Sequence, residues 1–158
     1  MAESSTPTMP STPRVTVRVA ASPDGIAAAA DGLARFQADH GIDQAAGWPV
    51  HVALDEILSN IVRHGHGPGP DASIEVTVAL TADGLQVTVA DDGPEFDPLQ
   101  LPEPDLTSPL DERRPGGLGV HLVRRLMDRV EYARFDGRNH LVITYRARPP
   151  GPPDRGRG

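Results

Sequence analysis

Lysine is absent from this chain: all 15 of its basic residues are arginine. A Walker A phosphate loop closes on a lysine, and a eukaryotic-type protein kinase carries one on its third strand, so both are excluded. Cysteine is absent as well, which removes disulfides, thiolate metal sites and cysteine nucleophiles together. Aromatic residues make up only 4% of a chain that is 38% hydrophobic, so the expected core is aliphatic. No apolar run approaches the ~20 residues of a membrane span. Met1 to Thr12 is rich in Ser, Thr and Pro and lacks the apolar stretch of a secretory signal. A formal charge of -7 argues against nucleic acid or an anionic membrane as the partner surface. These absences describe a cytoplasmic, acidic protein of one domain.

Both ends read as disordered tails, residues 1–12 and the Pro/Gly/Arg-dominated 148–158, which leaves a domain over 13–147. Val15, Val17 and Val19 alternate with Thr16 and Arg18, the pattern of a half-buried strand. Ser22-Pro23-Asp24 opens a helix to about His40, closed by Gly41. A second helix is expected from about Pro49 to His64, with Trp48 packing its entrance and Gly65 and Gly67 stopping it. Ile74, Val76 and Val78, then Leu85, Val87 and Val89, form a hairpin around Ala82-Asp83-Gly84. Pro94 to Pro115 lacks periodicity, as functional lids or disordered loops do. A third helix follows from about Gly119 to Asp128. A second hairpin joins Val130–Phe135 to Leu141–Tyr145 around Asp136-Gly137-Arg138-Asn139. The expected fold class is α+β, a two-layer sandwich with helices on one face of a mixed, mostly antiparallel sheet.

Three stretches carry chemistry. Glu56 and Asn60 are one helical turn apart on one face, and His64 continues the stripe. An amide oxygen is a hard ligand suited to magnesium, and a carboxylate one turn away suits a general base; the same three residues also fit a solvated helix face. Asp91-Asp92-Gly93 ends a strand, where a carboxylate can accept from an adenine amino group and glycine lets backbone approach the base; it also fits a plain turn. Gly116-Gly117-Leu118-Gly119 opens a helix whose free amides favour phosphate, or is a flexible loop end. Arg113 and Arg114 beside it can pair with a γ-phosphate or stay solvated. His64-Gly65-His66 lacks a third ligand for a metal pair, and His40, His51, His121 and His140 read as surface or packing residues.

The order of these stretches resembles the Bergerat ATP-binding fold of gyrase-type ATPases, Hsp90 chaperones and histidine kinases. Within it the chain is most similar to the stand-alone anti-sigma factor serine kinases of bacteria. The segment from Leu54 through Glu56-Ile57-Leu58-Ser59-Asn60 to His64 resembles their N box, Asp91-Asp92-Gly93-Pro94-Glu95-Phe96-Asp97-Pro98 their first glycine box, and Pro115-Gly116-Gly117-Leu118-Gly119-Val120 their second. The resemblance implies that Asn60 binds magnesium, Glu56 acts as base toward a partner's serine, and Asp91 reads adenine beside Gly93. It implies that Gly117 and Gly119, flanking Leu118, face the phosphates; His64 matches a histidine with no assigned step. ATP and magnesium are the implied cofactors. The implied partners are a STAS-type anti-anti-sigma protein as substrate, a sigma factor, and a second copy in a homodimer. Glu95 and Pro115 depart from the family's glycines. They motivate an alternative, a non-catalytic nucleotide-binding module that only captures partners. A detached histidine-kinase catalytic domain ranks lowest, because the chain has no room for a helical dimerisation hairpin.

Overall fold

The computed structural model describes residues 11–64, 72–109, 111–112 and 117–146. Strand β1 (Arg14–Ala20) leads into helices α1 (Pro23–Asp39) and α2 (Gln44–His64). Strands β2 (Ser73–Thr81) and β3 (Gly84–Asp91) follow, then a connecting segment with one 3-10 turn, helix α3 (Leu118–Leu126), and strands β4 (Arg129–Phe135) and β5 (Arg138–Tyr145). The strands form one sheet in the order β1-β2-β3-β5-β4, antiparallel at every pairing.

The strand directions follow from the connections. Two helices between β1 and β2 bring the chain back to the end of the sheet where β1 finished, so β2 runs back beside it. A single helix separates β3 from β4, which therefore run the same way, but β5 inserts between them and opposes both. The α+β sandwich is as expected. Its mixed sheet is corrected: β5 keeps apart the two strands that would have paired in parallel.

One aliphatic core joins the layers, as the shortage of aromatics implies. Ile74, Val76, Val87, Val89 and Ile143 of the sheet pack with Leu33, Leu54, Leu58 and Val123 of the helices. Each such side chain, fully buried, contributes about 1.5–3 kcal/mol. The other face of the sheet carries Thr16, Thr77 and Thr88, where Thr16 and Thr77 share a hydroxyl hydrogen bond at 2.8 Å. That polar face explains why the helices cover only one side.

Local signals set the helix ends. Ser22 Oγ accepts from the Gly25 amide at 3.2 Å and Pro23 takes the first helical position. Helix α2 starts at Gln44, a turn before Pro49. Asp43 accounts for this: its Oδ2 accepts from the Ala46 amide at 3.3 Å and its carbonyl from Gly47 at 2.9 Å. Trp48 does not pack that entrance, as it is 64% exposed and only stacks on His51. The corner is filled by the buried Gln37 instead, which donates to the Gly47 carbonyl at 3.5 Å and pairs with His51 Nε2 at 2.8 Å. Helix α3 ends before Asp128 because the Asp128 amide already donates to Thr144 of the sheet.

Candidate active site

Asp91 is the last residue of β3, and strand alternation turns it toward the helices. Its neighbours in register are Ile74 on β2 and Asn139 on β5. One rung of the sheet therefore begins in the core, at Val19 and Ile74, and ends in polar residues, Asp91, Asn139 and Arg134. Asp91 Oδ1 accepts from the Gly93 amide at 2.9 Å and from Asn139 Nδ2 at 3.2 Å. The same Nδ2 donates to the Pro94 carbonyl at 2.9 Å. Asn139 Oδ1 accepts from Arg134 Nη1 at 2.9 Å, the Tyr132 hydroxyl at 2.8 Å and the Phe96 amide at 3.3 Å. Arg134 also donates to the Gly93 carbonyl at 3.0 Å. Burial first, and the Glu95 carboxylate second, push the Tyr132 hydroxyl up from its ordinary value, so it stays protonated and donates.

Asn139 was not among the expected site residues. The Asp136–Asn139 stretch was expected to be a turn, but the turn is only Asp136-Gly137, with φ of 52° and 70°. A two-residue Asp-Gly turn with both φ values positive is a hairpin signal that places Arg138 and Asn139 in the strand. Asn139, Leu141 and Ile143 then alternate onto the helix-facing side.

Glu56, Asn60 and His64 occupy one face of α2, anchored by Leu54, Ile57 and Leu58 in the core. Asn60 and His64 line a cavity of about 200 Å³ together with Asp91, Asn139 and Tyr132. Apolar side chains, among them Ile57, Ile61, Val89 and Leu141, make up most of the rest of its wall. An apolar slot with a few convergent polar groups suits a flat heterocycle. Glu95 also lines it. A wider depression of about 510 Å³, near the β2–β3 turn and Arg146, holds none of the expected site residues.

The other expected residues lie around the cavity rather than in its wall. Gly93 is buried beside Asp91, bonded through both its amide and its carbonyl. Gly117 caps α3 with φ of 84°, a conformation that favours glycine. Leu118 is exposed on the first turn of α3. Gly119 packs against Glu56. Arg113, Arg114, Pro115 and Gly116 lie outside the described residues, as do Gly65, His66 and Gly67.

Among the described residues no three His, Cys, Asp or Glu side chains gather to hold a metal. Asn60 on the cavity wall fits magnesium of the kind that takes few protein ligands and completes its shell with phosphates and water.

The chain matches the histidine kinase-like ATPase domain over residues 19–145. It belongs to that family. This histidine kinase-like ATPase is 41% identical over 98 residues to the serine/threonine-protein kinase BtrW of Bordetella bronchiseptica, across 62% of this chain and 69% of that protein. It is 26% identical over 136 residues to the serine-protein kinase RsbW of Listeria monocytogenes, across 84% of this chain and 87% of that one. Among solved structures, the RsbU and RsbW domains of a Mycobacterium tuberculosis protein share its fold, with a TM-score of 0.59 at 19% identity. That match covers 87% of this ATPase, which spans 34% of the larger chain. The family makes ATP the nucleotide, and the relatives are protein kinases. No described helix of this ATPase is long and apolar enough to cross a membrane.

Proposed function

We propose that this chain transfers the γ-phosphoryl group of ATP to a serine hydroxyl on a small STAS-type anti-anti-sigma protein. It captures a sigma factor when that antagonist is phosphorylated, so the three proteins form a partner switch. Homodimerisation and a cytoplasmic location belong to the same reading. The observation that carries it is the convergence of Asn60 and Asp91 on one cavity, with Glu56 a turn before Asn60 on the same face of α2.

Each residue has a chemical task. The Asp91 carboxylate accepts from the 6-amino group of adenine, where guanine presents a carbonyl. Asn60 would hold magnesium through its amide oxygen; the bound cation offsets charge on the phosphates. The amides at Gly117 and Gly119 bind the phosphates, and Arg113 or Arg114 pairs with the γ-phosphate in a chain that has no lysine for it. Glu56 takes the serine proton as the hydroxyl oxygen attacks the γ-phosphorus. The bond to the β,γ-bridging oxygen breaks and ADP leaves with the electron pair. His64 shares the cavity wall and takes no step.

Two measurements test this. Ligand at about 1,000 times its Kd stabilises a protein by ~4 kcal/mol, so magnesium-ATP should give a large thermal shift, and Asn60→Ala should remove its magnesium-dependent part. Absence of any shift at millimolar nucleotide would overturn the site. With γ-labelled ATP, wild type should label a small protein on serine, whereas Glu56→Gln should bind ATP and label it only at a small residual rate. A second reading, a non-catalytic partner-binding module, is favoured by Glu95, whose carboxylate on the cavity wall opposes phosphate. Wild type that binds ATP and labels no protein would decide for it.

A further inference from the structure

Gly117 and Gly119 belong to one motif, yet the structure asks different things of them. Gly117 holds a left-handed backbone with φ of 84°, and the nearest atom to a Cβ built on it is the Pro102 carbonyl oxygen at 3.9 Å. Its constraint is conformation. Gly119 is the second residue of α3 with ordinary helical backbone, so any residue could adopt its conformation. Its constraint is space. A Cβ at Gly119 would overlap Glu56 Oε2, and would stand 3.4 Å from Glu56 Cδ and 3.7 Å from Glu56 Cβ. All three nearest atoms belong to that one side chain.

We infer that Gly119 is a positioning residue for Glu56: lacking a side chain, it lets the carboxylate lie against the first turn of α3 and so fixes where the base stands. The inference rests on the kinase reading above and extends it from which group is the base to what holds that group in place. Helices α2 and α3 pack directly against each other, and α3 follows the segment that carries Arg113 and Arg114. Any shift of the first turn of α3 as the phosphates bind would therefore move the surface on which Glu56 rests. Base placement and phosphate binding are coupled through one missing methyl group.

Gly119→Ala is the direct test. Alanine is the better helix former, and the atom in its way is the free end of a flexible side chain, so the domain folds while Glu56 swings aside. Thermal unfolding without nucleotide should show stability retained. Alanine keeps the backbone amide given to the phosphates, so ATP affinity should stay within about 2-fold, while kcat falls by roughly 10–100-fold, part of what a positioned base supplies. Placed in a Glu56→Gln background and read by single turnover at high enzyme concentration, Gly119→Ala should lower the residual rate no further. A raised Kd for ATP at unchanged kcat would mean that the missing side chain makes room for the phosphates rather than for Glu56, and would overturn the inference. An equal fall of rate in both backgrounds would overturn it too, by separating Gly119 from Glu56. Full transfer by Glu56→Gln alone would remove the base assignment first, and the positioning inference with it, before any Gly119 variant is made.

Discussion

In the proposed kinase Asp91 and Glu56 are carboxylates with different tasks, one reading the base and the other accepting the serine proton, and the fold holds them by different means. Around Asp91 the backbone and side chains are tied together before any ligand arrives. The Asn139 amide alone makes five hydrogen bonds, to Asp91, Pro94, Phe96, Tyr132 and Arg134. Glu56 instead takes its position from contact with a glycine on a neighbouring helix. A satisfied buried network is stiff and resists substitution of any member. A position set by contact tolerates most changes and fails to one added methyl. In the proposed kinase the stiff surroundings of Asp91 suit recognition of the base, and the position of Glu56 depends on where α3 lies.

Removing Asp91 should break the comparison most completely. Hydrogen bonds to charged groups are worth about 1.5–3 kcal/mol, so Asp91→Ala should weaken ATP binding roughly 10- to 150-fold, read by calorimetry. Glu56→Gln, measured beside it, should leave binding within about 2-fold. Equal losses from the two would mean that the sides are not specialised.

Asn139→Ala sharpens the same contrast. The variant leaves Asp91 in place but without its lateral donor, and leaves Tyr132, Arg134 and the Phe96 amide without their shared acceptor. Leaving such groups unsatisfied costs about 1–3 kcal/mol, so chemical denaturation should show a loss of about 2 kcal/mol. The ATP affinity should drop roughly 10-fold and the preference for ATP over GTP should narrow, because a carboxylate that has lost its Asn139 donor is held less firmly against the guanine carbonyl. A stability loss with an unchanged ATP:GTP ratio would reduce Asn139 to a purely structural residue.

The sequence exposed whatever depends on local pattern. Valine alternation, the Ser22 cap and the four-residue step from Glu56 to Asn60 each report their element directly, and the elements carry Asn60 and Asp91 to one cavity. What stayed hidden depends on register or on tertiary contact. Asn139 escaped notice because a turn read as four residues instead of two hid the strand position that pairs with Asp91. Arg134 and Tyr132 matter only through the β4–β5 pairing that brings them onto Asn139. The role of Gly119 against Glu56 has no local sign, since a glycine that makes room looks like one that frees the backbone. The start of α2 was the opposite kind of miss: Asp43 is a legible cap, and Pro49 drew attention from it.

The smallest expected effect concerns acid. His140 lies next to Asn139 in β5, on the opposite face of the sheet, stacked on Phe135 with ring centres 3.7 Å apart. Its Nε2 is buried and finds no hydrogen-bond partner among the described residues. Burial, and then the Arg138 guanidinium, hold its pKa below the ordinary value. Burial does the same to His51, on the first turns of α2 and away from the nucleotide cavity. Both groups are therefore neutral in the folded chain at a pH where the unfolded chain takes up protons. The stability this represents is complete above the unfolded value of about 6.5. It is lost as the pH falls from there through the lowered folded values. Between pH 7 and 5.5 the midpoint of thermal unfolding should fall by about 2 °C from these groups. His140→Gln and His51→Gln should each flatten that slope. His140 stands one rung from Asp91, opposite Ala90 and Ala133, and His51 lies on α2; ATP affinity should therefore fall over the same range, and only His140→Gln should flatten that fall. Equal effects of the two variants on affinity would mean that acid acts on the whole domain rather than through the base-reading side.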